Sequence, residues 1–361
     1  MDKKLIDKLV KRENEGTLRS LSFCSGMIDF FSNDYLGFAS RPTAAYDGQF
    51  SSTGSRLISG NSSIADECER FLASRFDASA ALIFNSGYDA NLGFFSSVPQ
   101  KGDTVVYDAY VHASIRDGIR LSFASAFSFK HNDLEDLRHK LSRAAGTIYI
   151  AVEGIYSMSG DQAPLIEIVR IAKEYGAYIY LDEAHSAGVL GENGAGLAFE
   201  LGIADDIYAR LVTFGKAFGA HGACILSSEN TRNYLINFAH SFIYTTALPP
   251  EQYVRIMEIL RDADLETRRM NLHKNCQLLN EKLGIERDEN SPILMLGADN
   301  RKQLSRISSS LNSAKFAVKP IFHPTVPLEC EGIRISMHAF NTADEIDSFA
   351  SQLIELRPIQ F

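Results

Sequence analysis

Residues 147–182 read TIYIAVEGIYSMSGDQAPLIEIVRIAKEYGAYIYLD, and the fold follows from how this stretch is parsed. Residues 147–152 and 177–181 are short apolar runs rich in isoleucine, valine and tyrosine, the side chains that suit a buried strand. Residues 164–175 between them have helical spacing. Strand, helix, strand is the unit that a parallel sheet is built from, because parallel neighbours need a crossover and a helix supplies it.

The alternation continues outward. Upstream come an amphipathic stretch at 63–75, an apolar run at 80–84, a helix at 89–97, a strand at 104–107, a helix at 113–121, a strand at 124–129 and a helix at 133–142. Downstream, runs at 207–213 and 223–227 are separated by a Gly-rich turn and no helix, which predicts an antiparallel edge or a hairpin-like excursion. The sum is a doubly wound α/β unit with a mostly parallel seven-stranded sheet. Before it, Leu5 with Leu9 and Ile6 with Val10 stand four apart and predict an N-terminal helix over 2–12. After it, Pro249-Pro250 opens one helical run to about residue 283. The remainder reads strand 293–296, helix 302–313, strands 316–321 and 332–336, and helix 343–356, a smaller α+β unit. The expected organisation is an extension over 1–45, a large unit over 46–249, and a linker helix with a small unit over 250–361.

Composition narrows the function. With 361 residues, 45% hydrophobic and 22% charged, the chain has the profile of a folded globular protein. Thirty-six basic against 45 acidic side chains leave a formal charge of −9, which disfavours nucleic acid and anionic lipid as partners. No apolar run reaches the roughly 18 residues of a membrane span. Met1-Asp2-Lys3-Lys4 leads into mixed charge, so a cytoplasmic protein is expected. Cys24, Cys68, Cys224, Cys276 and Cys330 are scattered, without a Cys-x-x-Cys pair, and are expected to be reduced and mostly buried thiols.

Several motifs fail on their chemistry. Gly215-Lys216 lacks the earlier glycine and the following hydroxyl of a phosphate loop; Arg210 and Ala217 stand there. Gly191, Gly194 and Gly196 have the wrong order for a dinucleotide fingerprint, and no serine has the flanking glycines of a nucleophile elbow. His131 and His139 are eight apart on a predicted helix with no third ligand, so a solvated helix face is expected there and no metal site.

Four features at the ends of predicted strands survive together. Asp182 closes the apolar run 177–181, where a carboxylate is poorly solvated and wants a cationic partner. Lys216 follows the next strand among Phe214, Phe218 and two glycines, surroundings that pull an amine's pKa down and make it nucleophilic. Asn85-Ser86-Gly87-Tyr88 turns a strand into a helix whose first amides can hold a phosphate. His112 follows another strand, where its ring could lie on a planar ligand. Taken singly, Asp182 reads as a helix cap, Lys216 as a surface turn lysine and His112 as a capping residue. Together they supply what pyridoxal phosphate requires: an anchor, a stacking ring, a partner for the pyridinium nitrogen and a Schiff-base amine.

These residues, with Phe31-Ser32-Asn33-Asp34-Tyr35-Leu36-Gly37, Thr53-Gly54-Ser55-Arg56, Glu153-Gly154-Ile155-Tyr156-Ser157-Met158-Ser159-Gly160-Asp161, Tyr244-Thr245-Thr246-Ala247-Leu248-Pro249-Pro250 and Pro324-Thr325-Val326-Pro327 with Arg334, run in order through nearly the whole chain. The set resembles the α-oxoamine synthases, fold type I pyridoxal-phosphate enzymes that condense an amino acid with an acyl-CoA. The resemblance implies that Lys216 carries the cofactor and then removes the α-proton, that Asp182 keeps the ring nitrogen protonated, and that His112 stacks on the ring. It places His185 and Ser157 near the phenolic oxygen. Ser86, Gly87, Tyr88 and Thr213 fall at the phosphate, joined by Thr245 and Thr246 from a partner subunit of a homodimer. Arg334 would grip the substrate carboxylate and Asn33 would help close the site. L-Alanine and pimeloyl-CoA are the favoured substrates, with a glycine and acetyl-CoA condensing sister enzyme as the alternative. A cofactor-binding regulator without turnover is remote, since no basic DNA-reading extension is present. An aminotransferase of the same fold fits the Asp–Lys pair but not the His112 and Pro324–Pro327 stretches. Two stretches depart from the family pattern: Phe322-His323 before Pro324, where relatives carry a basic residue and a second proline, and a short 41–53 segment.

Overall fold

The computed structural model describes residues 3–19, 21, 23–42, 46–287 and 290–356. Residues 43–45 of the short 41–53 segment, and Met1 and Asp2, lie outside the described residues.

In chain order the first elements are α1 (Lys3–Asn14), β1 (Ile28–Asp29), α2 (Ser63–Arg75), β2 (Ala80–Phe84), α3 (Gly87–Ser97), β3 (Thr104–Asp108), α4 (Ala113–Leu121), β4 (Ser125–Phe129), α5 (Leu134–Leu141), β5 (Ile148–Glu153), α6 (Leu165–Tyr175) and β6 (Tyr178–Asp182). The short α7 (Leu197–Glu200) precedes β7 (Ala209–Thr213) and β8 (Ala223–Ser227). Among the described residues, strands β2 to β8 form a seven-stranded sheet in the order β2-β8-β7-β6-β5-β3-β4. Every pairing is parallel except those of β8, which runs against both of its neighbours.

Strands β7 and β8 do form the expected hairpin, but β8 is no edge. Ala223 to Ser227 are all buried, as are Ala80 to Phe84 of β2, so burial does not tell the inner strand from the edge; the pairing puts β8 between β2 and β7 and leaves β2 at the edge. Alternate residues feed opposite faces of the sheet. Ile83, Val106, Ile150, Val152, Leu181 and Val212 join one apolar cluster, while Leu82, Val105, Ala151, Tyr180 and Leu211 join the other.

After the sheet come α8 (Glu229–Phe238), α9 (His240–Ile243), α10 (Pro250–Leu260), α11 (Leu265–Leu283), β9 (Ile293–Gly297), α12 (Arg301–Ser313), β10 (Phe316–Ala317), β11 (Lys319–Ile321), β12 (Gly332–Ser336) and α13 (Ala343–Leu356). The expected single run from Pro250 is thus two helices. Between them the Asp262 carboxylate accepts the Asp264 amide at 2.8 Å, a local bond that competes with continuing the helix. The expected strand 316–321 is also split. The Asn312 side chain takes both the amide and the carbonyl of Val318, at 3.1 and 3.2 Å, and removes that residue from any ladder. Strand β11 goes on to an antiparallel sheet β11-β12-β9, whereas β10 pairs in parallel with β1, a strand that sequence periodicity does not reveal.

That last pairing draws the N-terminal stretch into the body of the protein. Phe30, Tyr35, Leu36 and Phe38 are completely buried. Phe30 stacks on Phe349 of α13 at 4.0 Å, and burying one such side chain contributes about 1.5–3 kcal/mol. Arg255 donates to the Phe38 and Arg41 carbonyls and to Gly219 beside Lys216. Gly219 has φ +53°, and a Cβ there would lie 2.3 Å from the Ala39 nitrogen, so only glycine lets the N-terminal stretch cross the Lys216 turn. Helix α1 forms as expected, but its Leu5, Ile6, Leu9 and Val10 stripe is exposed.

Candidate functional site

Strands β2, β3, β5, β6 and β7 point the same way, so their carboxyl ends share one edge, the usual ligand edge of such sheets. Asn85, Asp108, Glu153, Asp182 and Thr213 stand there. A cavity of about 290 Å³ opens between them. Asn33, Ser86, Gly87, Tyr88, His112, Asp182, His185, Thr213 and Lys216 line it, together with Asn85, Asn91 and Glu153.

Asp182 ends β6 and is buried. Its Oδ1 accepts the Ala184 amide at 3.0 Å and its Oδ2 accepts Asn91 Nδ2 at 2.8 Å, which fixes the carboxylate plane. Asn91 is itself held, since Tyr180 donates its hydroxyl to Asn91 Oδ1 at 2.7 Å. The Asn91 amide also donates to Ser114 Oγ at 3.0 Å, leaving the Ser114 hydroxyl to donate to His112 Nδ1 at 2.7 Å. His112 caps α4 by accepting the Ser114 amide, so the modest capping role is real; the same bonds hold the ring at the cavity wall. Burial lowers its pKa, with Asp182 pulling the other way.

Lys216 follows β7, and its Nζ lies 2.7 Å from His185 Nε2. Burial brings the amine down to about 8 against the opposing pull of Asp182 and Glu153. His185 is pushed well below its ordinary range, first by burial and then by Lys216. With a neutral ring that accepts from Lys216 at Nε2, the Nδ1 hydrogen goes to Tyr35 Oη at 2.7 Å, and the Tyr35 hydroxyl donates to Asn33 Oδ1 at 3.2 Å. The chain of bonds ends at Arg334, whose Nη2 donates to Asn33 Oδ1 at 2.9 Å and to Tyr35 Oη at 3.3 Å. Arg334 Nε donates to the Ser157 carbonyl at 2.7 Å and its Nη1 to Ser336 Oγ at 2.7 Å. Asn33, Ser157, His185, Lys216 and Arg334 are therefore brought into one network.

At the other end of the cavity Ser86 caps α3: its Oγ accepts the Asp89 amide at 3.1 Å and donates to Asp89 Oδ2 at 2.8 Å. A Cβ on Gly87 would meet Thr213 Cγ2 at 2.7 Å, so this turn is a cradle that only glycine leaves open. Tyr88 is partly exposed and donates its hydroxyl to Asp117. Thr245 and Thr246 do not line the cavity of their own chain. Asn85 Nδ2 donates to Thr245 Oγ1 at 3.2 Å and to the Thr246 carbonyl at 2.8 Å, holding that loop beside the turn.

The donor set fits pyridoxal phosphate: open first-turn amides on an 11-residue helix for a phosphate, a fixed carboxylate for a ring nitrogen, and an amine of lowered pKa for an aldehyde. Sequence reasoning did not single out Asn91, Tyr35 or Glu153. Tyr35 and Glu153 lie inside quoted stretches, and Glu153 closes an apolar strand just as Asp182 does. Asn91 gives only the weak signal of a polar residue within an otherwise apolar helix.

His131 is a correction. It precedes α5, and its Nδ1 and Nε2 lie 2.9 Å from Asp108 Oδ1 and 2.7 Å from Asp161 Oδ2, with its ring stacked on Tyr110 at 4.1 Å. Those carboxylates raise its pKa to about 9 against the opposing effect of burial. His139, on α5, is exposed as expected. No cluster of three or more His, Cys, Asp or Glu fit to hold a metal occurs among the described residues, nor a helix long and apolar enough to cross a membrane.

A second, larger cavity of about 560 Å³ adjoins the first. It is lined by Tyr110, Arg116 and the 156–159 loop on one side and by Met295, Gly297 and 323–327 on the other. Both stretches that carry Ser157 and Pro324 thus belong to this second space.

Comparison with known proteins agrees with the geometry. The aminotransferase class I and II family model matches residues 25–353. The chain is 39% identical to the 8-amino-7-oxononanoate synthase of Emericella nidulans, covering 95% of this chain and 92% of that protein. It is 38% identical to the synthase of that name from Lysinibacillus sphaericus, covering 90% and 87%. Among solved structures, serine palmitoyltransferase of Sphingomonas wittichii superposes with a TM-score of 0.91 at 27% identity over 99% of this chain and 98% of that one. The Francisella tularensis 8-amino-7-oxononanoate synthase gives 0.78 at 30% identity over 91% and 97%.

Proposed function

The chain belongs to the aminotransferase class I and II family and is a pyridoxal-phosphate-dependent acyltransferase of fold type I, and from that premise we propose that it joins L-alanine to pimeloyl-CoA to give 8-amino-7-oxononanoate. The observation that carries the proposal is one cavity holding Lys216, Asp182, His112 and the open α3 turn. Sequence identity favours the oxononanoate synthases, at 39% and 38%, over the serine-using neighbour at 27%.

Pyridoxal phosphate, when bound, supplies an aldehyde for an amine and a ring that withdraws electrons from the bond being broken. Ser86, Gly87 and Tyr88 at the start of α3 seat the phosphate, and Thr213 packs against that turn. Asp182, fixed by Asn91 and the Ala184 amide, would hold a proton on the cofactor's ring nitrogen, where a fixed carboxylate stabilises the charge. His112 covers the ring from the α4 side. Lys216 would hold the cofactor aldehyde and, as a neutral amine, would serve as the base for the α-proton; an amine brought down to about 8 suits that exchange near neutral pH. His185 receives the Lys216 hydrogen bond and relays it through Tyr35 to Asn33, keeping the amine aimed. Arg334 offers a planar fork to the substrate carboxylate; Ser157 holds its Nε in place, and Asn33 yields its bond to Nη2 when the carboxylate arrives.

The net reaction forms a bond between the amino-acid Cα and the acyl carbonyl carbon, expels the CoA thiol, releases the carboxylate as CO2 and returns a proton to Cα. The adjoining 560 Å³ cavity is the space available to the acyl chain. Thr245 and Thr246 stand outside their own chain's cavity with exposed Tyr244 beside them, which supports a second copy completing the phosphate seat.

The test is CoA-thiol release by holoenzyme supplied with alanine and pimeloyl-CoA, glycine and acetyl-CoA, or serine and palmitoyl-CoA, with the product identified by mass. The proposal expects turnover mainly with the first pair. Preference for either other pair overturns the substrate assignment, and no thiol release with any acyl-CoA overturns the acyl-transfer reading.

A further inference from the structure

The lining of the larger cavity mixes two kinds of chemistry. Met158, Met295, Pro324, Val326 and Pro327 make much of it apolar, a surface suited to methylene groups. Among them stand two basic side chains, Arg116 and His323, and two acidic ones, Glu329 and Glu331. Glu331 is already engaged: Arg301 Nε donates to its Oε2 at 2.8 Å and the His323 amide to its Oε1 at 2.8 Å.

Arg116 is not engaged. It is exposed on α4, and its guanidinium makes no ion pair and no hydrogen bond among the described residues. The adjacent acid, Asp117, accepts instead from Tyr88 and Arg120. Arg116 follows His112 by four residues, a spacing that makes side chains neighbours at a helix start. His112 lines the smaller cavity and Arg116 the larger, and the guanidinium is near enough to help lower the pKa of the ring. A free, permanent cation thus stands where the larger cavity approaches the cofactor seat.

We propose that Arg116 is a specificity-determining residue: it receives the free carboxylate at the far end of a dicarboxylic acyl chain, while the apolar lining takes the methylenes between that carboxylate and the thioester. The inference rests on the acyl-transfer reading above and deepens it, since pimeloyl is such a chain. A guanidinium meets a planar carboxylate with two parallel hydrogen bonds, so the acid end is recognised by shape as well as charge. A chain that ends in a methyl group gains nothing there. The phosphates of coenzyme A are the other anions a cation could hold. They carry several charges and call for several cations, whereas the lining offers a single guanidinium, with the Glu329 carboxylate in the same cavity.

The experiment measures, by titration calorimetry on the holoenzyme, the affinity of wild type and Arg116→Gln for pimeloyl-CoA and for heptanoyl-CoA, two seven-carbon chains that differ only in the terminal carboxylate. Wild type should prefer pimeloyl-CoA by on the order of tenfold. Arg116→Gln should bring the ratio of the two affinities close to one, through loss of affinity for pimeloyl-CoA. Because Arg116 is exposed, added salt should shrink the wild-type ratio and leave that of the variant unchanged. Coenzyme A is common to both thioesters, so its own salt dependence cancels. Equal wild-type affinity for the two overturns the inference, and so does a ratio that Arg116→Gln leaves unchanged. Equal loss of both affinities in the variant overturns it as well, and assigns the guanidinium to the coenzyme A phosphates. These ratios require no turnover. If wild type discriminates as expected but releases no CoA thiol, the acyl-transfer reading fails while the carboxylate site stands.

Discussion

The two adjoining cavities are built by different means. The 290 Å³ space is walled by the ends of strands and the first turn of α3, and its polar groups are fixed by one another through Asn91, Ser114, His185 and Tyr35. The 560 Å³ space lies between two loops, 156–159 and 323–327. Chemistry common to a family belongs on the rigid edge, and substrate choice can vary on loops without disturbing it. The contrast suggests that substitutions in the first space act on cofactor and turnover, and those in the second on which acyl chain is accepted.

The largest expected effect is in the first cavity. Asp182→Asn keeps the shape and removes the charge that holds the ring proton, so kcat should fall on the order of 10³-fold while the fold is kept. Steady-state kinetics with far-ultraviolet circular dichroism checks this; a loss below tenfold would mean the carboxylate is structural.

A smaller effect belongs to His131, whose ring stacks on Tyr110 in the wall of the larger cavity. His131 joins Asp108 at the end of β3 to Asp161 beyond the 156–159 loop. Its folded pKa is raised to about 9 from 6.5, so its stabilising contribution is complete below pH 6.5 and disappears as pH rises through about 9. Since His131 is only half-buried and Asp161 is partly exposed, solvent screening leaves a contribution on the order of 1 kcal/mol. Denaturant midpoints of wild type and His131→Gln should differ most at pH 6 and converge at about pH 10. A constant gap would show that packing on Tyr110, and not charge, is what His131 supplies.

The smallest expected effect separates the cavities. Gly297 lines the larger one, and a Cβ there meets no atom closer than Glu331 O at 3.8 Å, so Gly297→Leu can fill the space without displacing backbone. KM for the acyl substrate should rise about tenfold with cofactor affinity unchanged. Loss of cofactor affinity would show that the two spaces are not independent.

The same division governs what could be read from sequence. The crossover strands, Asp182 and Lys216 were legible because a buried strand is a continuous apolar run and a polar residue at its end stands out. Whether β8 forms an edge or a hairpin-like excursion stayed open, because chain order says nothing of strand order; only its pairing on both sides puts it between β2 and β7. The one long helix and the one long strand of the C-terminal part were broken by single side chains, Asp262 and Asn312, whose local bonds leave no trace in periodicity. His131 was assigned to a helix face for the same reason, since its partners Asp108 and Asp161 come from distant parts of the chain. Glu153 escaped notice although it has the sequence setting of Asp182.

The central claim is that one amine, that of Lys216, takes the cofactor in the cavity floored by Asp182. Borohydride reduction of the holoenzyme, followed by peptide mapping, should place the reduced cofactor on the peptide containing Lys216, with capture of added cofactor quickening as pH rises through about 8. Label on another lysine, or wild-type labelling and turnover in Lys216→Ala, would contradict the account.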